Sequence, residues 1–294
     1  VESPRFNLDR FKAPEKFQVK QAEQAESPTV ITRLVNAGLE NIEADFRIQL
    51  DTVNYRDFFA RAVGGRVEMG KGRVAFNEAT MDLADGTFRL SGEVTGMEEN
   101  APVLNLQADL QNTDVRKAFR AFDNFGQSAL RHQNLEGKLT AGIKFQARAN
   151  ANYELDTNSL RGHFDLHLTD GALLELPALD SVRNLLFARR DLSHIDFATL
   201  ENRFQLNGQL LGIERMEVRS SVLTFAVSGQ YDLSDQRRTD MLLEIPMANL
   251  FRRDLNRAAL EQIEEGLSGP NILLRLIPDD RGEGLRVKWV LSRE

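Results

Sequence analysis

The chain has 294 residues, of which 41% are hydrophobic, enough to bury a sizeable core in one large or two small domains. A net charge of -7 argues against a nucleic-acid partner, because phosphate binding needs clustered Lys and Arg, and the lack of cysteine excludes disulfides and cysteine-ligated metals. No run approaches the ~18 apolar residues of a membrane-spanning helix, so we expect any membrane anchor to lie outside this sequence.

The N-terminal segment, residues 1–28, is polar and rich in Gln, Glu, Lys and Pro. It predicts a partly mobile linker, with a strand end only at SPRFNLDRF. Residues 29–40 fit either a short amphipathic helix or a strand that turns at Gly38. We assign residues 29–294 to one domain.

The first clear strand is predicted over residues 42–50, where apolar and polar side chains alternate. Asn54 then predicts the N-cap of a short helix that ends at Gly64 and Gly65. The inward side of that helix would carry Tyr55, Phe58, Phe59 and Ala62. Further strands are predicted at 67–69, 74–76, 81–83, 88–94 and 104–110, and a second helix at 114–125.

The second half of the chain repeats this alternation. Strands are predicted at 135–149, at 160–168, between 204 and 233, and at 241–247, and a hairpin is predicted from 271–277 and 285–291. Pro177 predicts the start of a third helix, with Leu179, Val182, Leu185 and Leu186 as its buried stripe. Asn249 predicts the cap of the longest helix, over about 250–266.

An internal duplication is indicated by two similar stretches. Residues 81–94 match 216–231, and residues 104–112 match 241–249 at an offset of 137. We therefore predict repeats over about 66–125 and 204–266. Tripeptides of the form aliphatic, polar, glycine recur at Gly92, Gly137, Gly162, Gly208 and Gly229, where we expect bends or close backbone contacts.

The predicted fold class is mostly β (α+β). The connections between strands are short, which favours antiparallel pairing. About fourteen strands in one meander accumulate twist, so we expect a long curved antiparallel sheet that forms a trough or partial barrel. About four short helices would interrupt it.

No catalytic arrangement is visible in the sequence, and no cofactor is predicted. His163, Asp165 and His167 share the polar side of one strand and could bind a metal, although no second cluster completes the ligand shell. The sequence has no phosphate-binding loop, and its serines lack the strand, nucleophile and helix arrangement of a hydrolase. A non-enzymatic role is therefore predicted.

A resemblance to a known protein family rests on several stretches of the sequence. They are the tandem LSG and VSG strands, TDGALLELPALDSVRNLL (169–186), LNLQADLQNTDVRKAF and LLEIPMANLFRRDL. From about Ile42 onward the chain resembles the C-terminal region of AsmA-like proteins, the envelope family that includes TamB-type and YhdP-type proteins. The resemblance implies a periplasmic location in a diderm bacterium, with an inner-membrane anchor outside this sequence. It also implies a β-trough that carries phospholipid in support of outer-membrane assembly.

The hypothesis is therefore a trough that binds or conducts phospholipid or another acyl-chain ligand. The predicted lining residues are Phe46, Ile48, Phe88, Leu90, Leu104, Leu106, Phe164, Leu166, Phe204, Leu206, Phe225, Val227, Leu243 and Ile245. Three alternatives stay open. The first is a scaffold with a closed core that binds another envelope protein. The second is a metal enzyme that uses His163, Asp165 and His167. The third is a glycan-binding module, which the scarcity of Tyr and Trp disfavours.

Overall fold

A computed structural model describes residues 2–3, 6–7, 43–97, 101–126, 130–150, 154–176, 186, 191–234, 237–250, 269–279 and 285–290. These residues form a mostly β structure with fifteen strands. The predicted linker over residues 8–28 and the uncertain segment 29–40 lie outside the described residues. The strand predicted near the N-terminus is present as two short pieces, β1 (Glu2–Ser3) and β2 (Phe6–Asn7).

The first half of the sheet contains long strands joined by tight turns. The strands are β3 (Ala44–Tyr55), β4 (Phe58–Gly70), β5 (Arg73–Leu83), β6 (Gly86–Thr95) and β7 (Val103–Asp114). The helix α1 (Val115–Ala121) follows β7 and leads into a short 3-10 turn at Asp123–Gly126. A second 3-10 turn, His132–Asn134, precedes β8.

The second half continues in the same way. Its strands are β8 (Leu135–Ala149), β9 (Leu155–Leu174), β10 (His194–Asn207), β11 (Leu210–Arg219), β12 (Thr224–Asp232), β13 (Asp240–Pro246), β14 (Asn271–Pro278) and β15 (Leu285–Val290). A 3-10 turn at Met247–Leu250 follows β13.

All fifteen strands belong to one sheet whose order follows the sequence. From β3 to β15 each strand pairs antiparallel with the next. The short strands β1 and β2 pair parallel with β3 along the edge that faces away from β4. The two ends of the sheet do not pair with each other, so it is open. The predicted antiparallel meander is therefore confirmed.

The helix predicted after Asn54 is wrong. Tyr55 pairs with Phe58, and Arg56 and Asp57 form the turn between β3 and β4. Arg56 has a φ of 51°, in the left-handed region that such two-residue hairpin turns use. The helix-like spacing of the apolar residues arises because a hairpin turn and a later bulge interrupt the strand alternation.

The number of helices is also lower than predicted. Among the described residues, α1 is the one α-helix with defined bounds, and it confirms the helix predicted over 114–125. The helices predicted from Pro177 and over 250–266 lie outside the described residues, apart from helical Leu186 and the 3-10 turn that ends at Leu250. About four helices are thus not observed in the described part of the chain.

Bulges interrupt the ladders at several places. The register shifts between Arg61 and Gly64 in β4, between Phe76 and Ala79 in β5, and between Ile213 and Met216 in β11. A bulge bends its strand and increases the local twist. A sheet of this length with repeated bulges fits the open, curved form expected from the strand count.

The two matching stretches occupy corresponding groups of strands. Residues 81–94 lie in β5 and β6 and residues 216–231 in β11 and β12, while the continuations lie in β7 and β13. The cross-strand pairing differs between the groups, because Leu90 faces Ala108 while its counterpart Val227 faces Leu243 and not Ile245, the counterpart of Ala108. The internal duplication therefore stays a prediction.

Candidate functional site: an apolar face of the sheet

The strand register collects apolar residues on one side of the sheet, which we call the apolar face. Residues paired across antiparallel strands point to the same side, so a chain of pairs traces a row across the sheet. One row begins at Phe46 and continues through its partner Val67 to Phe76. Its members are Phe46, Val67, Phe76, Gly92, Leu106, Phe145, Gly162, Leu206, Leu211 and Tyr231.

A second row runs beside the first and crosses the sheet from β3 to β15. Gly65 adjoins Ala79 across the bulge between β4 and β5, where a Cβ on Gly65 would lie 3.1 Å from the Ala79 Cα. The row comprises Ile48, Gly65, Ala79, Leu90, Ala108, Ile143, Phe164, Phe204, Ile213, Gly229, Met241, Leu276 and Val287. Neither row contains a charged residue.

All fourteen predicted lining residues lie on the apolar face. In the first row are Phe46, Leu106 and Leu206, and in the second are Ile48, Leu90, Phe164 and Phe204. Leu104 lies beyond the first row, on its side towards the start of β3. The remaining six residues lie beyond the second row, on its side towards the turn between β3 and β4: Phe88, Leu166, Phe225, Val227, Leu243 and Ile245. Whether they line a lipid path remains a prediction.

Sequence reasoning missed members of these rows in β4, β5 and β8. Val67 and Phe76 lie in strands that the sequence predicts, and so do Ile143 and Phe145, but none of the four is among the predicted lining residues. The glycines Gly92 and Gly162 were expected at close backbone contacts, which is confirmed. A Cβ on either residue would lie 2.5 Å from a neighbouring carbonyl oxygen, that of Asn105 or Lys144.

Burial along the apolar face is graded. At the end of the strands near the turn between β3 and β4, which we call the closed end, Ala60 is 0% exposed and Leu83 is 2% exposed. At the opposite end, which we call the open end, Phe46 is 43% exposed and Phe76 is 36% exposed. An uncharged surface is therefore accessible at the open end of the first strands.

Helix α1 covers the closed end. Asp114 caps the helix by accepting a hydrogen bond from the Lys117 backbone N–H at 3.0 Å. Phe122, directly after α1, contacts Phe58 of β4 with 5.9 Å between ring centroids and Phe88 of β6 with 6.2 Å. Because Val115 belongs to the same core and Phe119 packs against it, α1 packs onto the apolar face and blocks it at this end beside β4, β7 and β8.

Asn202 is a polar exception on the apolar face. It lies on β10, directly opposite Leu166 of β9 and two residues from Phe204. Its side-chain nitrogen Nδ2 is buried and has no hydrogen-bond partner among the described residues. Asn271 Oδ1 is the other buried side-chain atom without a partner among the described residues, whereas Asn134 donates to the Leu174 carbonyl at 2.9 Å and Asn249 donates to the Thr224 carbonyl at 2.6 Å.

The opposite side of the sheet carries charged pairs, and the row of His163, Asp165 and His167 lies there as predicted. The Arg203 guanidinium donates to Asp165 at 2.5 Å, and this hydrogen bond lowers the pKa of the Asp165 carboxyl. His167 Nδ1 lies 2.5 Å from Glu201 Oε1. Within the described residues no three His, Cys, Asp or Glu side chains are grouped so that they could hold a metal ion.

Comparison of the chain with family models, with curated proteins and with solved structures found no match. The resemblance to AsmA-like proteins thus stays a prediction. Among the described helices, none has the length and apolar character needed to cross a membrane.

Proposed function

We propose that this protein is a non-catalytic, AsmA-like envelope protein that binds or conducts phospholipid along the apolar face of its sheet. In this proposal the protein works in the periplasm, is anchored to the inner membrane by a segment outside this sequence, and supports outer-membrane assembly. The observation that carries the proposal is the uncharged row from Phe46 to Tyr231, which crosses ten strands and is exposed at the open end.

An exposed apolar surface is stabilised by a partner that covers it with apolar groups. Covering exposed aromatic side chains such as Phe46 and Phe76 with an apolar ligand would gain roughly 25 cal/mol of free energy for each Å² of apolar surface removed from water. An acyl chain supplies apolar surface of adjustable shape and needs no charged partner. The face offers it a continuous wall, since the neighbours of Phe76 in its row are Val67 and Gly92.

The charges of the sheet lie on the other side. Asp45 pairs with Arg66, and Arg73 donates to Glu93 at 2.7 Å. A lipid whose tails rest on the two rows of the apolar face would therefore contact no charged side chain of those rows. This separation supports tail binding along the wall.

Photo-crosslinking with a matched pair of neighbouring positions tests the proposal. A benzophenone amino acid replaces Leu106, which is half-buried on the apolar face, or Gln107, which is exposed on the polar side of the same strand. The protein is irradiated with vesicles of phosphatidylethanolamine and phosphatidylglycerol and adducts are identified by mass spectrometry. We expect phospholipid adducts at position 106 and only background at 107. Equal labelling at both positions, or none at 106, contradicts the proposal.

A second candidate function is a structural scaffold that binds another envelope protein through its outer surface. The observation in its favour is the closed end, where Phe197, Ile195 and Ile245 are all 0% exposed and form an ordinary core. A scaffold gives no lipid adduct at position 106. It also keeps its partner binding when Phe46 and Phe76 are both replaced by Ser.

A further inference from the structure

In the part of the chain that the structure describes, the apolar face contains one buried side-chain donor without a hydrogen-bond partner, Asn202 Nδ2. Asn202 is flanked along β10 by Leu200 and Phe204 and across the sheet by Leu166, so its amide lies within an apolar surrounding. The residue as a whole is only partly buried, while its Nδ2 is fully buried. An Asn amide can rotate by half a turn, which exchanges Nδ2 and Oδ1, so a ligand on the accessible side can meet the donor.

The ladder beside Asn202 is also interrupted. Strands β10 and β11 pair from Phe204 to Asn207 and meet again at an isolated bridge between Phe197 and Ser220. Both strands are described throughout this interval, and β11 carries its bulge between Ile213 and Met216 at the same level. Bulges are frequent beside functional sites, where they redirect side chains and end strand pairing. The unpartnered amide and the gap in the ladder thus coincide.

We propose that Asn202 is the position at which the ester carbonyl of an acyl lipid is bound on the apolar face. This inference rests on the proposed lipid function and adds the part of the ligand that is recognised. A hydrocarbon chain that covers the apolar face removes water from the accessible end of the Asn202 amide, which is costly unless the ligand also supplies a hydrogen-bond acceptor. An ester carbonyl is an uncharged acceptor attached to a hydrocarbon chain, and the residues around Asn202 suit both parts.

A free fatty acid fits the site less well. Its carboxylate would be buried against the apolar face. Arg215 lies on β11 at the level of Asn202, two residues beyond the pair of Phe204 and Ile213, but its charge is balanced by Glu217 at 3.7 Å and Glu244 at 3.9 Å. Arg203, the nearest cation in sequence, points to the polar side and donates to Asp165. Burying an unpaired charge is far more costly than burying a neutral ester. The Asn202 site is therefore assigned to an ester carbonyl and not to a free carboxylate.

The test compares an ester with a hydrocarbon. Methyl palmitate and an alkane of matched length compete with a fluorescent hydrocarbon dye on the whole protein, in the wild type and in Asn202→Leu. We expect Asn202→Leu to weaken methyl palmitate binding about two- to tenfold, as suits one lost neutral hydrogen bond, and to leave alkane binding unchanged. Gln205→Leu is the control, since it removes an amide from the polar side of the same strand.

Infrared spectroscopy gives a second readout that a structural role for Asn202 would not affect. The stretch of a ¹³C-labelled ester carbonyl moves to lower frequency when it accepts a hydrogen bond. We expect this shift in the wild type and in Gln205→Leu, and its loss in Asn202→Leu.

The outcomes separate the two proposals. If wild-type protein binds ester and alkane but Asn202→Leu changes neither the affinity ratio nor the carbonyl frequency, the assignment of Asn202 is overturned while the lipid function stands. If the wild type binds neither probe, the proposed function fails and the assignment fails with it.

Discussion

Phe197 packs its ring over Gly171, its partner across β9 and β10, so closely that a Cβ on Gly171 would lie 2.1 Å from the ring. Phe197 is completely buried, and its ring cannot move away without displacing the core around it. Only a glycine is compatible with this packing. This pair therefore joins two long strands at the closed end of the sheet.

Gly171→Ala should destabilise the protein by about 2 to 3 kcal/mol, because the new methyl group forces the Phe197 ring out of its packed position. The free energy of unfolding in urea measures the effect. Gly142→Ala is the control, since the nearest atom to its Cβ position, Asp109 Oδ1, is 3.8 Å away. A similar cost for both substitutions would show that strand propensity, and not the contact with Phe197, decides the result.

Asp114→Ala should reduce the stability by about 1 kcal/mol, the usual effect of losing an N-cap. The helix has only seven residues, and Asp114 satisfies the Lys117 N–H at its first turn. Asp114→Asn keeps a capping oxygen and should stay close to the wild type. Urea unfolding checks both variants, and an equal loss in Asp114→Asn would mean that the charge matters more than the cap.

Asn202→Leu should make the lipid-free protein more stable by about 1 to 2 kcal/mol, because it removes a buried amide end that has no partner. This gain is the counterpart of the loss of ester binding expected for the same variant. Thermal unfolding of delipidated protein measures it. Gln205→Leu should change the stability by less than about 0.5 kcal/mol, as is usual for an exposed site. A clear loss of stability in Asn202→Leu would contradict the description of this amide as unpartnered.

Asp232 makes part of the stability depend on pH. Burial opposes ionisation of this fully buried carboxyl, but the ion pair with Arg238 at 2.8 Å and the hydrogen bonds from Ser234 outweigh it, so the pKa of Asp232 lies well below its usual range. A carboxyl whose pKa is lower in the folded state than in the unfolded state stabilises the protein at every pH above its unfolded-state pKa, which is about 3.9 for Asp. That contribution is lost as the pH falls below about 4.

Asp232→Asn should therefore cost about 2 kcal/mol at pH 7 and progressively less as the pH falls from about 4 towards 2, because the carboxyl takes up a proton in the unfolded state while it stays ionised in the folded state. Unfolding curves recorded between pH 2 and 7 for both proteins measure the difference. Asp240→Asn is a useful comparison, because Asp240 is a half-exposed carboxylate that pairs with Arg275 and its loss should have a smaller effect. A difference between wild type and Asp232→Asn that does not change with pH would contradict this role.

Much of the sheet follows from the sequence. The two-residue alternation predicted β8 with the observed bounds Leu135–Ala149, and it placed Phe204 and Leu206 on one side of β10. The prediction failed after Asn54, because aromatic residues on both sides of a two-residue turn imitate the spacing of a helix face. Short-range spacing does not distinguish these two cases when a left-handed residue such as Arg56 makes the turn.

The candidate site was only partly predictable. Counting even positions back from Phe204 places Asn202 on the apolar side, but nothing in the sequence shows that its amide lacks a partner or that β10 and β11 separate beside it. The degree of burial was equally hidden. Phe46 and Phe88 are the same residue type in the same kind of alternation, and one is 43% exposed while the other is 9% exposed.

The sequence by itself determined that this chain forms an antiparallel meander with one apolar side, because side-chain direction along a strand depends only on local backbone geometry. The tertiary structure alone decided where that side is closed and where it is open. Closure depends on which distant segment packs against each strand, as α1 and Phe122 do at one end of the sheet. Such contacts join residues far apart in the chain, and no local pattern encodes them.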